Sequence, residues 1–318
     1  MYRPAQLAGY LALLLTAGAL LVGSVLAPAE MPSGTIGIQL GIILTAAVAG
    51  AIEHRRELEA FEPAAFGRTD AVDAVAVVIG AVVTYALSVH AGVGPVLASA
   101  LVGLAAGLAV PKVGAPVYCG SFVGMASPAV FGSLESVAVA GVVAGLGFVA
   151  TTESFGGVGG KLGTLAMFGC LATAALLGLD FAEAGAPQWE LAHLIVPVAV
   201  AGAVATVVLS VRLEWGAVVG SGVVGVVAGV AFPLAVPEVG ATLAAVAFCA
   251  SFVGMSSADR LDGALAIGIA GGLSGVVFLL VAPAFEGSGG KLGTIAFISC
   301  IGLLGALELR EVAVERFR

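Results

Sequence analysis

The sequence predicts an all-α polytopic membrane protein of about 10–12 transmembrane helices, in two tandem, inverted homologous repeats behind an N-terminal helical hairpin. Three observations lead there: an apolar composition, a register of matches between the two halves, and the placing of basic residues among the joints. Of 318 residues, 60% are hydrophobic and 10% charged, and the mean hydropathy is +1.15. A water-soluble globule carries roughly a quarter charged residues. Apolar stretches near the ~20 residues that a bilayer core requires recur along nearly the whole chain. The longest polar break is Glu53–Asp70.

Taken in order, the first elements are the apolar stretches Gln6–Leu26 and Thr35–Ile52. One basic residue, Arg3, precedes the first and Ala27-Pro28-Ala29 follows it, as in a secretory signal. The apolar run is longer than a typical signal core, and we read a retained hairpin. With its linker, this hairpin fills residues 1–70.

The remainder is duplicated. Cys119–Ser127 matches Cys249–Ser257 at seven of nine positions, and Phe155–Thr164 matches Phe285–Thr294 at eight of ten, both at an offset of 130 residues. Cys170 and Cys300 share that offset. Upstream the offset is 122, pairing Gly80 with Gly202, Leu87-Ser88-Val89 with Leu209-Ser210-Val211, and Ser99–Pro111 with Ser221–Pro233. Two gapless registers in one order mark an internal repeat. Repeat 1 covers about 71–180, repeat 2 covers 190–308, and 309–318 form a cytoplasmic tail.

In repeat 1 the expected spans are 72–89, 94–110, 134–152 and 163–179; in repeat 2 they are 192–211, 215–232, 263–282 and 293–308. A fifth, shorter segment, 113–127 in one repeat and 240–257 in the other, either crosses or re-enters. Basic residues favour cytoplasmic joints. If the fifth segments cross, Arg3, Arg55, Arg56, Arg68, Lys112, Lys161, Arg212, Arg260, Arg310, Arg316 and Arg318 share one side. The acidic joints Asp180–Glu190 and Pro233–Glu238 then take the other, leaving Lys291 and His90 out of place. If they re-enter, Arg212 and Lys161 change sides. This balance favours five crossings per repeat, inversion between repeats, and both termini in the cytoplasm of a cell-membrane protein.

Two motifs could carry chemistry. Gly-Gly-Lys-Leu-Gly-Thr occurs as Gly159, Gly160, Lys161 to Thr164 and again as Gly289, Gly290, Lys291 to Thr294. Glycines allow close backbone approach, and a helix starting there points unpaired amides outward. A lysine at a helix N-terminus opposes the macrodipole, so it fits either an anionic group held by those amides or an ion pair with Glu153 or Glu286. A nucleotide-binding loop is excluded, because Leu162 and Leu292 stand where Ser or Thr must follow the lysine. The second motif places Ser121 and Ser251 beside Phe122 and Phe252. These residues suit a shared pathway or a packing seam, since small residues and hydroxyls serve both.

Other signals are weak. The cysteines form two equivalent pairs, Cys119 with Cys249 and Cys170 with Cys300, with no histidine beside them, so neither a metal nor a cofactor is expected. Glu135, Glu153, Asp262, His193 and Asp73 fall near span ends and have no counterparts in the other repeat, which marks most as interfacial. A net charge of −8, with nine Arg and three Lys, offers no basic stripe for nucleic acid. The candidate partners are a small-molecule or ion solute, the lipid bilayer, and a second copy of the chain. The organisation is similar to five-plus-five inverted-repeat transporters and urea-channel-like proteins in architecture alone. The expectation is a membrane transporter or channel for a small solute, anions among the candidates, with a site between the repeats. The alternatives are a membrane enzyme on a lipid or isoprenoid phosphate, or a structural subunit of a membrane complex.

Overall fold

The structure is a computed structural model that describes residues 3–27, 34–59, 66–183, 185 and 187–316. Among them the chain forms helices with no named strand, the one β-bridge joining Ala182 and Glu286. The helices are α1 (Arg3–Leu26), α2 (Thr35–Glu59), α3 (Arg68–Tyr85), α4 (Pro95–Ala109), α5 (Gly114–Val123), α6 (Leu134–Ala150) and α7 (Lys161–Leu177). After a polar joint follow α8 (Ala192–Val207), α9 (Ala217–Ala235), α10 (Gly240–Val253), α11 (Gly263–Leu280) and α12 (Lys291–Arg316). Among the described residues, seven helical stretches are long and apolar enough to cross a membrane, α12 among them. The chain is a multi-pass membrane protein.

Several starts and stops follow from local sequence. Gly94 and Gly216 take φ of 84° and 81° just before α4 and α9, a conformation open to glycine and costly for other residues. Ser133 caps α6 by accepting a hydrogen bond from the Ser136 amide at 3.2 Å. Both α3 and α8 end in a π-helical turn, Ala86–His90 and Val208–Arg212. Wide turns of this kind gather at functional positions. The fifth segments prove shorter than the sequence indicated. α5 stops at Val123 and α10 at Val253, each followed by a glycine whose amide bonds back into the last turn. At about 1.5 Å per residue, α5 covers only about half the thickness of a bilayer core. α12, by contrast, continues to Arg316, through the region expected to be a tail.

Close glycine contacts fix how the helices run. Gly80 and Gly124 meet the neighbourhoods of Val117 and Ala81 in ascending order, so α3 and α5 are parallel. Gly141 faces Val78 and Gly145 faces Ala74, so α6 runs antiparallel to α3. α4 and α9 are antiparallel, with Gly222 against Leu104 and Gly229 against Leu97. α7 and α12 cross through their first turns. A Cβ on Gly163 would lie 2.5 Å from the Gly293 Cα, and one on Gly293 would lie 2.5 Å from the Gly163 Cα. Gly160 faces Phe297 while Gly290 faces Met167, so these two helices also run in opposite directions.

Such contacts are how membrane helices associate. Lipid is as apolar as leucine, so packing and interhelical hydrogen bonds replace the hydrophobic effect, and small residues let backbones approach. Large apolar side chains such as Leu15, Leu234 and Leu265 are correspondingly exposed. The hairpin joins the bundle on both arms: α1 packs on α6 and α7, and α2 lies along α12.

Candidate functional site

Two cavities of similar size flank the centre of the bundle. Cavity A, about 530 Å³, is lined by Asp70, Asp73, Phe148, Thr152 and the run Gly156–Gly163 with Lys161. Cavity B, about 490 Å³, is lined by Ser88, Ser127, Phe278, Ala282, Glu286 and Gly290–Gly293 with Lys291. Asp70 and Asp73 lie in the first turns of α3, whereas Ser88 lies in the π-helical turn beyond its last. Roughly 25 Å of helix axis separates these positions, so the cavities open toward opposite ends of α3. Phe122 and Phe252 line both. They are the wall the two cavities share.

That wall is a cluster of four rings. Phe122 and Phe252 have centroids 4.6 Å apart, Phe248 and Phe252 4.7 Å, and Tyr118 and Phe122 4.5 Å, all tilted or edge-on as ring quadrupoles prefer. All four side chains are buried. Behind them, hydroxyls bond to one another. Ser121 lies 2.8 Å from Ser99, Ser251 lies 2.7 Å from Ser221, and the Tyr118 hydroxyl lies 2.8 Å from Ser221. Ser121 and Ser251 also donate to carbonyls of their own helices, Tyr118 O at 2.7 Å and Phe248 O at 2.6 Å. These serines are fully buried and brace the ring cluster rather than lining either cavity.

The two lysine motifs begin α7 and α12. Gly160 and Gly290 precede them at φ of 83° and 80°. Lys161 donates to the carbonyl of Thr151, just past the end of α6. Lys291 donates to the carbonyl of Ala282 at 2.8 Å, just past the end of α11, and pairs with Glu286 at 3.2 Å. A cation that opposes its own helix dipole thus binds a carbonyl just past the end of the helix before it. This is why a lysine stands at a position that helix stability alone disfavours. Thr164 and Thr294 are fully buried, and each donates to the carbonyl four residues back, Gly160 O and Gly290 O, at 3.2 Å. The Gly159 amide donates to Ser256 at 3.0 Å, and Gly289 packs on the Phe122 and Val123 carbonyls. All four glycines hold backbone against backbone, and Gly159, Gly160 and Gly290 also reach a cavity wall.

The remaining candidates disperse. Glu135, Glu153, Asp262 and His193 are exposed, and Asp73 is half-buried in the wall of cavity A. The cysteines are buried thiols with separate partners, Cys119 donating to Leu162 O and Cys249 to Leu292 O at 3.2 and 3.1 Å.

One feature went unforeseen in the sequence. The Glu53 carboxylate, near the end of α2, receives both terminal nitrogens of Arg260 at 2.8 and 2.9 Å and the Phe155 amide at 2.7 Å. The Arg260 Nε donates to Gly156 O at 2.8 Å. Phe155 holds φ of 51°, uncommon for a non-glycine residue, with its ring stacked on Tyr10 and edge-on to Phe297. Phe285 takes the same φ in the other half, but the residue matching Arg260 is Val130. A lone arginine where the paired joint has valine was the legible signal.

No family model, curated protein or solved structure matches the chain.

Proposed function

We propose that the protein is a transporter or channel for a small solute, organised as two inverted repeats that meet at the Phe122–Phe252 wall. The observation that carries this reading is the pair of cavities at opposite ends of α3, each with a Gly-Gly-Lys turn and both ending on the same two rings. A pathway needs access from each face and a barrier between, and this arrangement supplies both. The opposed directions of α4 and α9, and of α7 and α12, support inversion, because each pair consists of matching segments. Matched local contacts add to it: the Ser127 amide donates to Gly287 O and the Ser257 amide to Gly157 O, both at 2.9 Å. With the basic joints inside, cavity A faces the cytoplasm and cavity B faces outward.

Lys161 and Lys291 then anchor the turns that shape the two vestibules, Phe122 and Phe252 form the gate, and Ser121, Ser251, Thr164 and Thr294 keep its helices in place. Purified protein in liposomes should raise the flux of at least one small solute several-fold over bare vesicles. Replacing Lys161 and Lys291 together with Met should cut that flux tenfold or more. Flux equal to that of bare vesicles for every solute, from protein that remains folded, would overturn the reading.

A further inference from the structure

The chemistry of the cavities and of the wall between them narrows the class of solute. In each cavity the lysine is accompanied by carboxylates. Lys291 is paired with Glu286 at 3.2 Å, and Lys161 shares cavity A with Asp70 and Asp73. Between the cavities stand Tyr118, Phe122, Phe248 and Phe252, and among the described residues no charged side chain lines the shared wall. The hydroxyls nearest those rings are bonded to one another and to helix carbonyls, and so offer an ion no vacant shell of ligands. An ion must exchange its water for fixed dipoles or charges to cross such a barrier. A small uncharged molecule surrenders only a few hydrogen bonds, which the polar groups of the vestibules can restore on either side.

We infer that the pathway passes small uncharged polar solutes and excludes both anions and cations, with the four-ring cluster as the element that discriminates. This inference rests on the proposed transport function and departs from the anionic solute the lysines alone would indicate.

The test uses the full-length protein in sealed vesicles, with acetamide and glycerol as uncharged probes, and chloride, nitrate and sodium as ions. Acetamide or glycerol should enter at least tenfold faster than into bare vesicles, with ion flux within twofold of the bare rate. Phe122→Ala with Phe252→Ala should raise chloride or sodium flux at least tenfold. If that double variant does not fold, Phe252→Leu alone should raise ion leak in the same direction. Wild-type flux of chloride, nitrate or sodium tenfold above bare vesicles, with neither uncharged probe accelerated, would overturn the inference while leaving transport standing. An ion leak unchanged in folded ring variants would overturn the role of the rings. No acceleration of any probe would overturn the transport reading and this inference with it.

Discussion

At the scale of residues, the most constrained group is Glu53. The residue is 4% exposed, and its carboxylate accepts three hydrogen bonds, two from Arg260 and one from the Phe155 amide. Removing one partner of a buried ion pair leaves the other charge uncompensated, at a cost of roughly 3–5 kcal/mol. Glu53→Gln should therefore lower the melting temperature in detergent clearly, whereas Glu135→Gln, at an exposed site, should leave it nearly unchanged. Equal effects from the two substitutions would show that the pair is not buried as described. The pair also explains why the hairpin belongs to the bundle: it ties α2 to the turn beginning at Phe155 and to the joint holding Arg260. Sequence alone did not reveal this, because long-range pairing leaves no periodic signal and Glu53 sits where an apolar stretch meets a polar linker. The lysines were legible as unusual, but the carbonyls they bind became identifiable only when the ends of α6 and α11 were located.

At the scale of elements, glycine spacing decides which helices touch. Gly163 and Gly293 meet backbone to backbone where α7 and α12 cross. Adding one methyl group to so tight a contact strains the core by about 1–3 kcal/mol. Gly163→Ala should lower thermal stability by that order. Gly18→Ala is the matched control, since nothing lies within 4 Å of the added carbon. That change should be neutral, or stabilising by at most about 1 kcal/mol through helix propensity. Melting curves of the two variants in the same detergent check the contrast, and identical losses would contradict the crossing. The long helices were legible in hydropathy to within a few residues, except that α2 and α12 run on past their apolar stretches to Glu59 and Arg316. The short α5 and α10 were not, because their apolar runs continue past the helix ends into turns buried against the opposite half, where hydropathy cannot tell helix from turn.

At the scale of the molecule, the proposed function requires equivalent vestibules on opposite membrane faces with a ring barrier between. Charges at the joints are the basis for the proposed sidedness, and the contacts of Arg260 with Glu53 and Gly156 bring three of those joints together. The bridge between Ala182 and Glu286 gathers the acidic joint and the second lysine turn together, away from that end. What sequence could not deliver was the pair of cavities, since a cavity is a property of packing between distant segments. Thr152 and Ala282 occupy matching positions in the lysine-turn register and line cavities A and B respectively. All four native cysteines are buried, so single cysteines introduced at these positions can be labelled against a low background. The most direct measurement is the reaction of Thr152→Cys and Ala282→Cys with a membrane-impermeant maleimide, added in turn to each side of sealed vesicles. The account predicts that each variant labels from one face only and that the two faces are opposite; labelling of both from the same face would contradict it.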